Sequence, residues 1–256
     1  MSDISSKPFS RLRRFLSTRR SFWRDYYFRG EFELKILAKY ITKENTAIDV
    51  GGNIGTYSYH LSRLARKVVT FEPNPEYVDT IVRLGLPNVS VEQVALSNAS
   101  GEINLRIPIA AGGNEDRGMA SVSAEAVPDT SLSRIIEVPM KRLDDYQIAD
   151  VGFIKIDVEG HEEGVLAGAW DTIARDRPAL LIEIEERHNQ GGIKRISDLL
   201  ATIGYEGFFF HHGKQFPIKQ FVELVHQPAD LIWDKNKYVR RTFPYVNNFL
   251  FVSTER

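Results

Sequence analysis

The chain has 256 residues, 43% hydrophobic and 26% charged, with a net charge of −1 and no cysteine. That length and apolar content suit one large α/β domain with a full core, and the lack of cysteine excludes disulfides, zinc–thiolate centres and thiol nucleophiles. No apolar run reaches membrane-spanning length and no signal-peptide core is seen, so the expected location is the cytoplasm.

The near-zero charge is unevenly spread. Residues 1–30 carry eight Arg/Lys against two Asp, and the remaining chain is correspondingly acidic. This N-terminal segment interleaves Arg with Phe, Trp and Tyr. It reads as a basic amphipathic helix packed over the domain edge, burying Phe15, Leu16, Phe22 and Trp23. The alternative is peripheral contact with an anionic membrane surface or another polyanion. The acidic body lacks the basic–aromatic strands of a nucleic-acid binder, so no nucleic-acid partner is expected.

Residues 31–256 are expected to form a single domain. Glu31–Ile41 is a predicted helix. Ala47–Val50 is a short apolar run of the kind a buried parallel strand shows, with Asp49 at its carboxyl end. Gly51 and Gly52 allow a sharp turn and a close ligand approach, and Gly55 opens a helix over Thr56–Arg66. Val68–Phe71 is the next strand. It ends in Glu72, 21 residues after Gly51, about where a βαβ unit puts the carboxylate that holds a ribose. Pro75–Leu84 reads as a helix with Pro near its start, and Val89–Ala95 as a third strand. Glu102–Ile107 and Ile135–Met140 are further strands. Between them, Pro108–Arg134 has little periodicity and is expected to be a mobile flap near the site, with a surface insertion as the alternative.

Phe153–Asp157 is an apolar strand ending in an acid, followed by a helix over Glu162–Ala169. Ala179–Ile184 is a strand that runs into Glu183, Glu185 and Glu186. Ile193–Ile203 is an amphipathic helix closed by Gly204. Tyr205–Phe210 is a strand, His211–Gly213 a turn, Lys214–Ile218 a return, and Asn248–Ser253 the closing strand. Alternating strands and helices are the pattern of a doubly wound sheet.

Charge narrows the ligand. A dinucleotide needs G-x-G-x-x-G and a turn free of acids. Here Asn53 and Ile54 interrupt that glycine spacing, and Asp49 would repel a pyrophosphate. S-adenosylmethionine has no phosphate, and its ammonium and sulfonium suit an acid at the strand end. The unit therefore favours S-adenosylmethionine over NAD, with an ordinary helix-capping turn as the structural alternative. Asp49, Glu72, Asp157 and Glu183 all fall at strand ends, where ligands bind in open α/β sheets. Asp157, Glu159, His161 and Glu162 crowd one strand end and the start of its helix.

These pieces, in order, resemble the FkbM family of S-adenosylmethionine-dependent methyltransferases: IDVGGNIGTYS (48–58), FEPNPE (71–76), VALSNASGEINL (94–105), RLDDY (142–146), FIKIDVEGHEEGVLAGA (153–169), RPALLIEI (177–184) and YVNNFLFV (245–252). Gly52 departs from the alanine usual in the family, and residues 1–30 lie outside the resemblance. The resemblance implies a Rossmann-like, class I sheet of seven mostly parallel strands with helices on both faces and the last strand antiparallel. It implies O-methylation of a hydroxyl on a sugar, glycan, glycolipid or related natural product. By position, Asp49, Gly51, Asn53 and Gly55 would cradle the methionine part of the cofactor, Glu72 would hold the ribose, and Val94 and Ala95 would flank the adenine. Asp157 would lie between the cofactor's amino end and the substrate.

A proton must leave the hydroxyl as the bond forms. His161 is the first choice of base because its pKa lies near neutrality; Asp157 or Glu159 could orient it or take the proton. A structural His161, bonded to Glu159 or Glu162, is the alternative. A divalent metal is not favoured. Were one held, Asp157 and Glu183 would be its ligands, with Glu185 or His188 nearby. Tyr57, Tyr59, Phe208, Phe209, Phe210, Trp233 and Tyr245 include candidates for stacking on a sugar, though most read as core. Two other functions compete with an O-methyltransferase: a non-catalytic scaffold of the same fold, and an NAD-dependent oxidoreductase.

Overall fold

The computed structural model describes residues 32–109, 120–123, 132–228 and 245–255. The expectations for residues 1–30, for Trp233 and for most of the 108–134 flap lie outside these residues.

The first elements are two 3-10 turns, Phe32–Lys35 and Leu37–Lys39, rather than one α-helix. Leu34, Leu37 and Tyr40 recur every third residue, the period of the tighter turn. Leu34 and Leu37 are buried.

Strand β1 (Thr46–Val50) is buried along its whole length. Gly55, at φ 89°, then starts helix α1 (Thr56–Leu64). Strand β2 (Lys67–Phe71) and helix α2 (Pro75–Val82) follow. Asn74 caps α2 by accepting from the Glu76 N–H at 3.0 Å.

The expected strand Val89–Ala95 is split. Strand β3 (Val89–Glu92) ends in a tight turn in which the Val94 N–H bonds the Glu92 carbonyl, and β4 (Ala95–Leu96) joins a different sheet. Strands β5 (Gly101–Pro108) and β6 (Ser133–Lys141) pair antiparallel, and β4 adds to β6 in parallel. These three form a small sheet of their own, packed around Ala95, Leu105, Ile107 and Val138.

Strand β7 (Val151–Ile156) is wholly buried, as a central parallel strand should be. Two helices follow, α3 (Glu162–Gly168) and α4 (Trp170–Asp176). Strand β8 (Ala179–Glu183) precedes helix α5 (Gly192–Ala201). Helix α5 buries Ile193, Ile196 and Leu200 on one face, each contributing about 1.5–3 kcal/mol of apolar transfer. Gly204, at φ 75°, ends that segment. Strands β9 (Tyr205–His211) and β10 (Lys214–Pro217) form a hairpin through His212 and Gly213, both at positive φ. A one-turn helix, α6 (Glu223–His226), and strand β11 (Asn248–Ser253) complete the described fold.

The main sheet has the order β10-β9-β11-β8-β7-β1-β2-β3. It has eight strands, not seven. The seven expected strands are all present, and β10 adds an edge through its hairpin with β9. Strand β11 runs antiparallel to both its neighbours, as expected of the closing strand. The chain passes from β1 outward to β2 and β3, then returns to place β7 on the other side of β1. The crevice beyond β1 and β7 is thus the switch point at which open α/β sheets bind ligands. No helix among the described residues is long and apolar enough to cross a membrane.

Candidate functional site

A cleft sits at that switch point, with about 590 Å3 of empty space when its open mouth is included. Val50 and Gly51 at the end of β1, Phe71 and Glu72 at the end of β2, and Asp157 to Glu159 after β7 form its floor. Val94, Ala95 and Leu96 form one wall, and Ala120, Ser121 and Val122 another. Those last three are described residues of the 108–134 stretch. Ser121 is buried there, donating to the Glu159 carbonyl at 2.6 Å and pairing with Arg106 on β5.

Glu72 is an acid of the cavity held by two backbone donors. Its two oxygens accept the Asn53 N–H at 2.7 Å and the Asn74 N–H at 2.8 Å, so both turns orient one carboxylate. Burial pushes its carboxyl up to about 7, aided by Asp49 and Asp157, while the two N–H donors pull down.

The glycines shape the loop itself. Gly51 is at φ 79°, and a Cβ there would lie 1.8 Å from the Asp157 carbonyl oxygen, so the turn packs directly on the strand end beside it. A Cβ on Gly52 would meet the Thr70 methyl at 2.3 Å. Thr70 fills the space that the usual family alanine would need, which accounts for that departure.

The expected cofactor residues divide. Gly51, Asn53, Glu72, Val94, Ala95 and Asp157 line the cavity. Asp49 and Gly55 are not among its lining residues. Asp49 is buried one layer behind, where it accepts the Ser58 hydroxyl at 2.5 Å. Burial raises its carboxyl to about 6, with Ser58 and Lys155 opposing.

Of the expected catalytic residues, Asp157 and Glu159 line the cavity and His161 does not. His161 stands at the N-terminus of α3, its Nε2 2.9 Å from the buried Ser97 hydroxyl beside β4. Burial lowers its pKa. The partner is Ser97 rather than the Glu159 or Glu162 weighed from sequence. Glu162 instead accepts the Gly160 N–H and an Asn189 amide. Replacing His161 with alanine is expected to cost about 1 kcal/mol of stability, the worth of one hydrogen bond, and to leave cofactor affinity within about threefold. Urea unfolding and calorimetry check both; a tenfold loss of cofactor affinity would return His161 to the site.

The pair weighed as metal ligands faces a cation of the protein's own. Lys155, fully buried on β7, places its ammonium 3.8 Å from Asp157 and 3.7 Å from Glu183. It also donates to Asn248 Oδ1 at 3.0 Å and to the Ile156 carbonyl at 3.3 Å, and lies 5.0 Å over the Tyr57 ring. Glu183 further accepts an Asn247 amide.

Tyr57, Tyr59, Phe209 and Phe210 are buried in the core, and Tyr245 donates to Glu185 Oε2 at 2.6 Å. The cavity's aromatic lining comes from Phe71 and Tyr77. Lys155 had a signal in the sequence, a lone cation inside the apolar strand FIKI. Ser121 had none.

Four acids with raised pKa values also give a stability signature. Asp49, Glu72, Glu159 and Glu162 bind protons in the folded state that the unfolded chain has released. Each therefore removes stability as pH rises from the ordinary carboxylate range through its folded value. His161 and His211, whose pKa values are lowered, act oppositely near neutrality. The acids outnumber them and shift further, so the ligand-free protein is expected to lose on the order of 3 kcal/mol between about pH 5 and pH 8. Urea midpoints that stay level across that window would contradict the protonated acids.

With this geometry in view, the comparisons with known proteins agree. The methyltransferase FkbM domain model matches residues 49–216, and the chain belongs to that family. Among curated proteins it is similar to hexuronic acid methyltransferase AglP of Haloferax volcanii, 32% identical over 157 residues. That match covers 59% of this chain and 61% of the relative, so it spans under two thirds of that protein. Among solved structures, methyltransferase FkbM from Methylobacillus flagellatus KT has the same fold, with a TM-score of 0.52 at 15% identity over 82% of this chain and 44% of the other.

Proposed function

We propose that the protein transfers a methyl group from S-adenosylmethionine to a hydroxyl of a sugar or glycan. The observation that carries this reading is Glu72, a carboxylate at the end of β2 oriented by two backbone N–H groups toward a cavity with an apolar wall. A carboxylate so held suits two ribose hydroxyls, and Val94, Ala95 and Leu96 suit the flat face of an adenine. Asp157, at the end of β7, suits a cationic tail. A dinucleotide fits poorly, because its pyrophosphate would meet the acids Glu72, Asp157 and Glu159 on the cavity floor.

When bound, S-adenosylmethionine supplies a methyl already activated on a sulfonium. The protein's part is to hold the acceptor oxygen in line with it and to receive a proton. Asp157 and Glu159 are in reach of that task. The FkbM relative named for a hexuronic acid makes acidic sugars the first acceptors to screen.

Calorimetric titration with S-adenosylmethionine, S-adenosylhomocysteine and NADH tests the reading. Saturable binding of the two sulfur ligands, without NADH, is the expected result. Binding of neither would leave a methyltransferase-fold scaffold as the better description.

A further inference from the structure

Glu159 differs from the other cavity acids in what lies behind it. Its backbone is left-handed, at φ 49°, a conformation that costs a side-chain-bearing residue about 1–2 kcal/mol. The Ser121 hydroxyl on its carbonyl holds that turn. The carboxyl meets His188, whose Nε2 lies 3.5 Å from Glu159 Oε2, and the two side chains are only 9% and 15% exposed. One oxygen of Glu159, one of Glu185 and one ring nitrogen of His188 all lie within 4.8 Å of one another. Glu185 is already balanced. Arg187 bonds both its oxygens and Tyr245 bonds one, so burial would raise its carboxyl but these partners hold it below the usual range. The guanidinium is the cation of this cluster, and Glu159 and His188 face each other beside it.

We propose that Glu159 is the group that receives the acceptor's proton and that His188 is the positioning residue behind it. This rests on the methyltransferase reading above. In the transfer, the acceptor oxygen gains the methyl group, the electrons of the broken S–C bond stay on sulfur, and the O–H proton passes to a Glu159 oxygen. A cation and a carboxylate thus become a neutral thioether and a neutral carboxyl, and the charge balances.

The surroundings supply the timing. Around Glu159 stand Asp157, Glu162, Glu185, Arg187 and His188. Burial first, then Asp157 and Glu185, push its carboxyl up to about 8, with Arg187 opposing. Before ligand arrives these surroundings therefore favour the protonated carboxyl. A positive charge brought into the cavity favours the ionised form. Glu159 becomes a base when the cationic cofactor is present and regains its hold on a proton once that charge is consumed.

Proton counting tests this without any acceptor. Calorimetry of the full chain at about pH 7.5, in buffers of different ionisation enthalpy, gives the protons released per ligand bound. S-adenosylmethionine and S-adenosylhomocysteine share the ribose, so the Glu72 contribution cancels in their difference and the sulfonium remains. The wild-type protein is expected to release roughly half a proton more with the sulfonium ligand than with the thioether. The difference should vanish in Glu159→Gln. In His188→Gln its pH midpoint should move by about one unit, a change that a purely structural histidine would not cause. A cooperative urea transition with a midpoint near that of wild type shows that each variant is folded. An undiminished difference in Glu159→Gln overturns the proposal and assigns the proton to Asp49 or Asp157. An unmoved midpoint in His188→Gln overturns the role of His188. Ligand binding with no proton difference overturns the pair alone, whereas no binding of either ligand overturns the methyltransferase reading and the pair with it.

Discussion

Replacing Glu72 with alanine is expected to weaken S-adenosylhomocysteine binding by at least about 100-fold, close to 3 kcal/mol. Two losses add. The proposed ribose bonds go to a charged acceptor, and such bonds are worth about 1.5–3 kcal/mol each. The same carboxylate also ties the Asn53 N–H of the glycine turn to the Asn74 N–H that precedes α2. Without it both turns are free to move, and the cavity floor loses its preorganisation. Glu72→Gln is a sharper probe, because one oxygen becomes an amide nitrogen that would face a backbone donor. It is expected to fall between wild type and alanine. Calorimetry reads all three, and an alanine variant within fivefold of wild type would remove Glu72 from the cofactor site.

Replacing Lys155 with methionine is expected to destabilise the fold by about 3–5 kcal/mol, the cost of breaking a buried charge cluster by removing one partner. Methionine keeps most of the alkyl stem beside Tyr57 but leaves Asp157 and Glu183 without the cation between them. Asn248 Oδ1 also loses its donor. The deficit should shrink at acid pH, where the two carboxyls can take up protons instead of repelling each other. Urea unfolding at neutral and acid pH measures both effects. A loss below about 1 kcal/mol at neutral pH would place the cluster among ordinary solvent-screened pairs.

Together these expectations describe how the site is charged. Lys155 supports Asp157 from below, Arg187 balances Glu185 at the side, and Glu72 and Glu159 face the cavity with raised pKa values. The fold gathers acids at one sheet edge and compensates only some of them.

Much of this was readable from the sequence because it depends on local chemistry. Apolar runs of four to six residues ending in acids marked β1, β2, β7 and β8. The interval from Gly51 to Glu72 is set by one helix, its two turns and strand β2, so the acid's place followed from counting. The matching FkbM motifs set the family. The N–H donors that orient Glu72 come from the two turns flanking it, and they too are close in sequence or across one βαβ unit.

Other features needed the tertiary structure, because they join residues far apart in the chain. Val89–Ala95 reads as one strand by its apolar content, yet β4 leaves for a second sheet because its partner is β6, some 45 residues on. Asp49 and His161 have the right chemistry and the right segment, but backbone direction turns Asp49 toward Ser58 and His161 toward Ser97. Ser121 lies in a stretch without periodicity and becomes part of the wall only by pairing with β5. Lys155 meets Glu183 and Asn248 from two other strands. The sequence by itself determined which acids end which strands and what kind of ligand they suit. Only the packing of β1, β2, β7 and β8 side by side decided which of those acids face the cavity and which are already balanced, since burial and a partner's distance are properties of the assembled sheet.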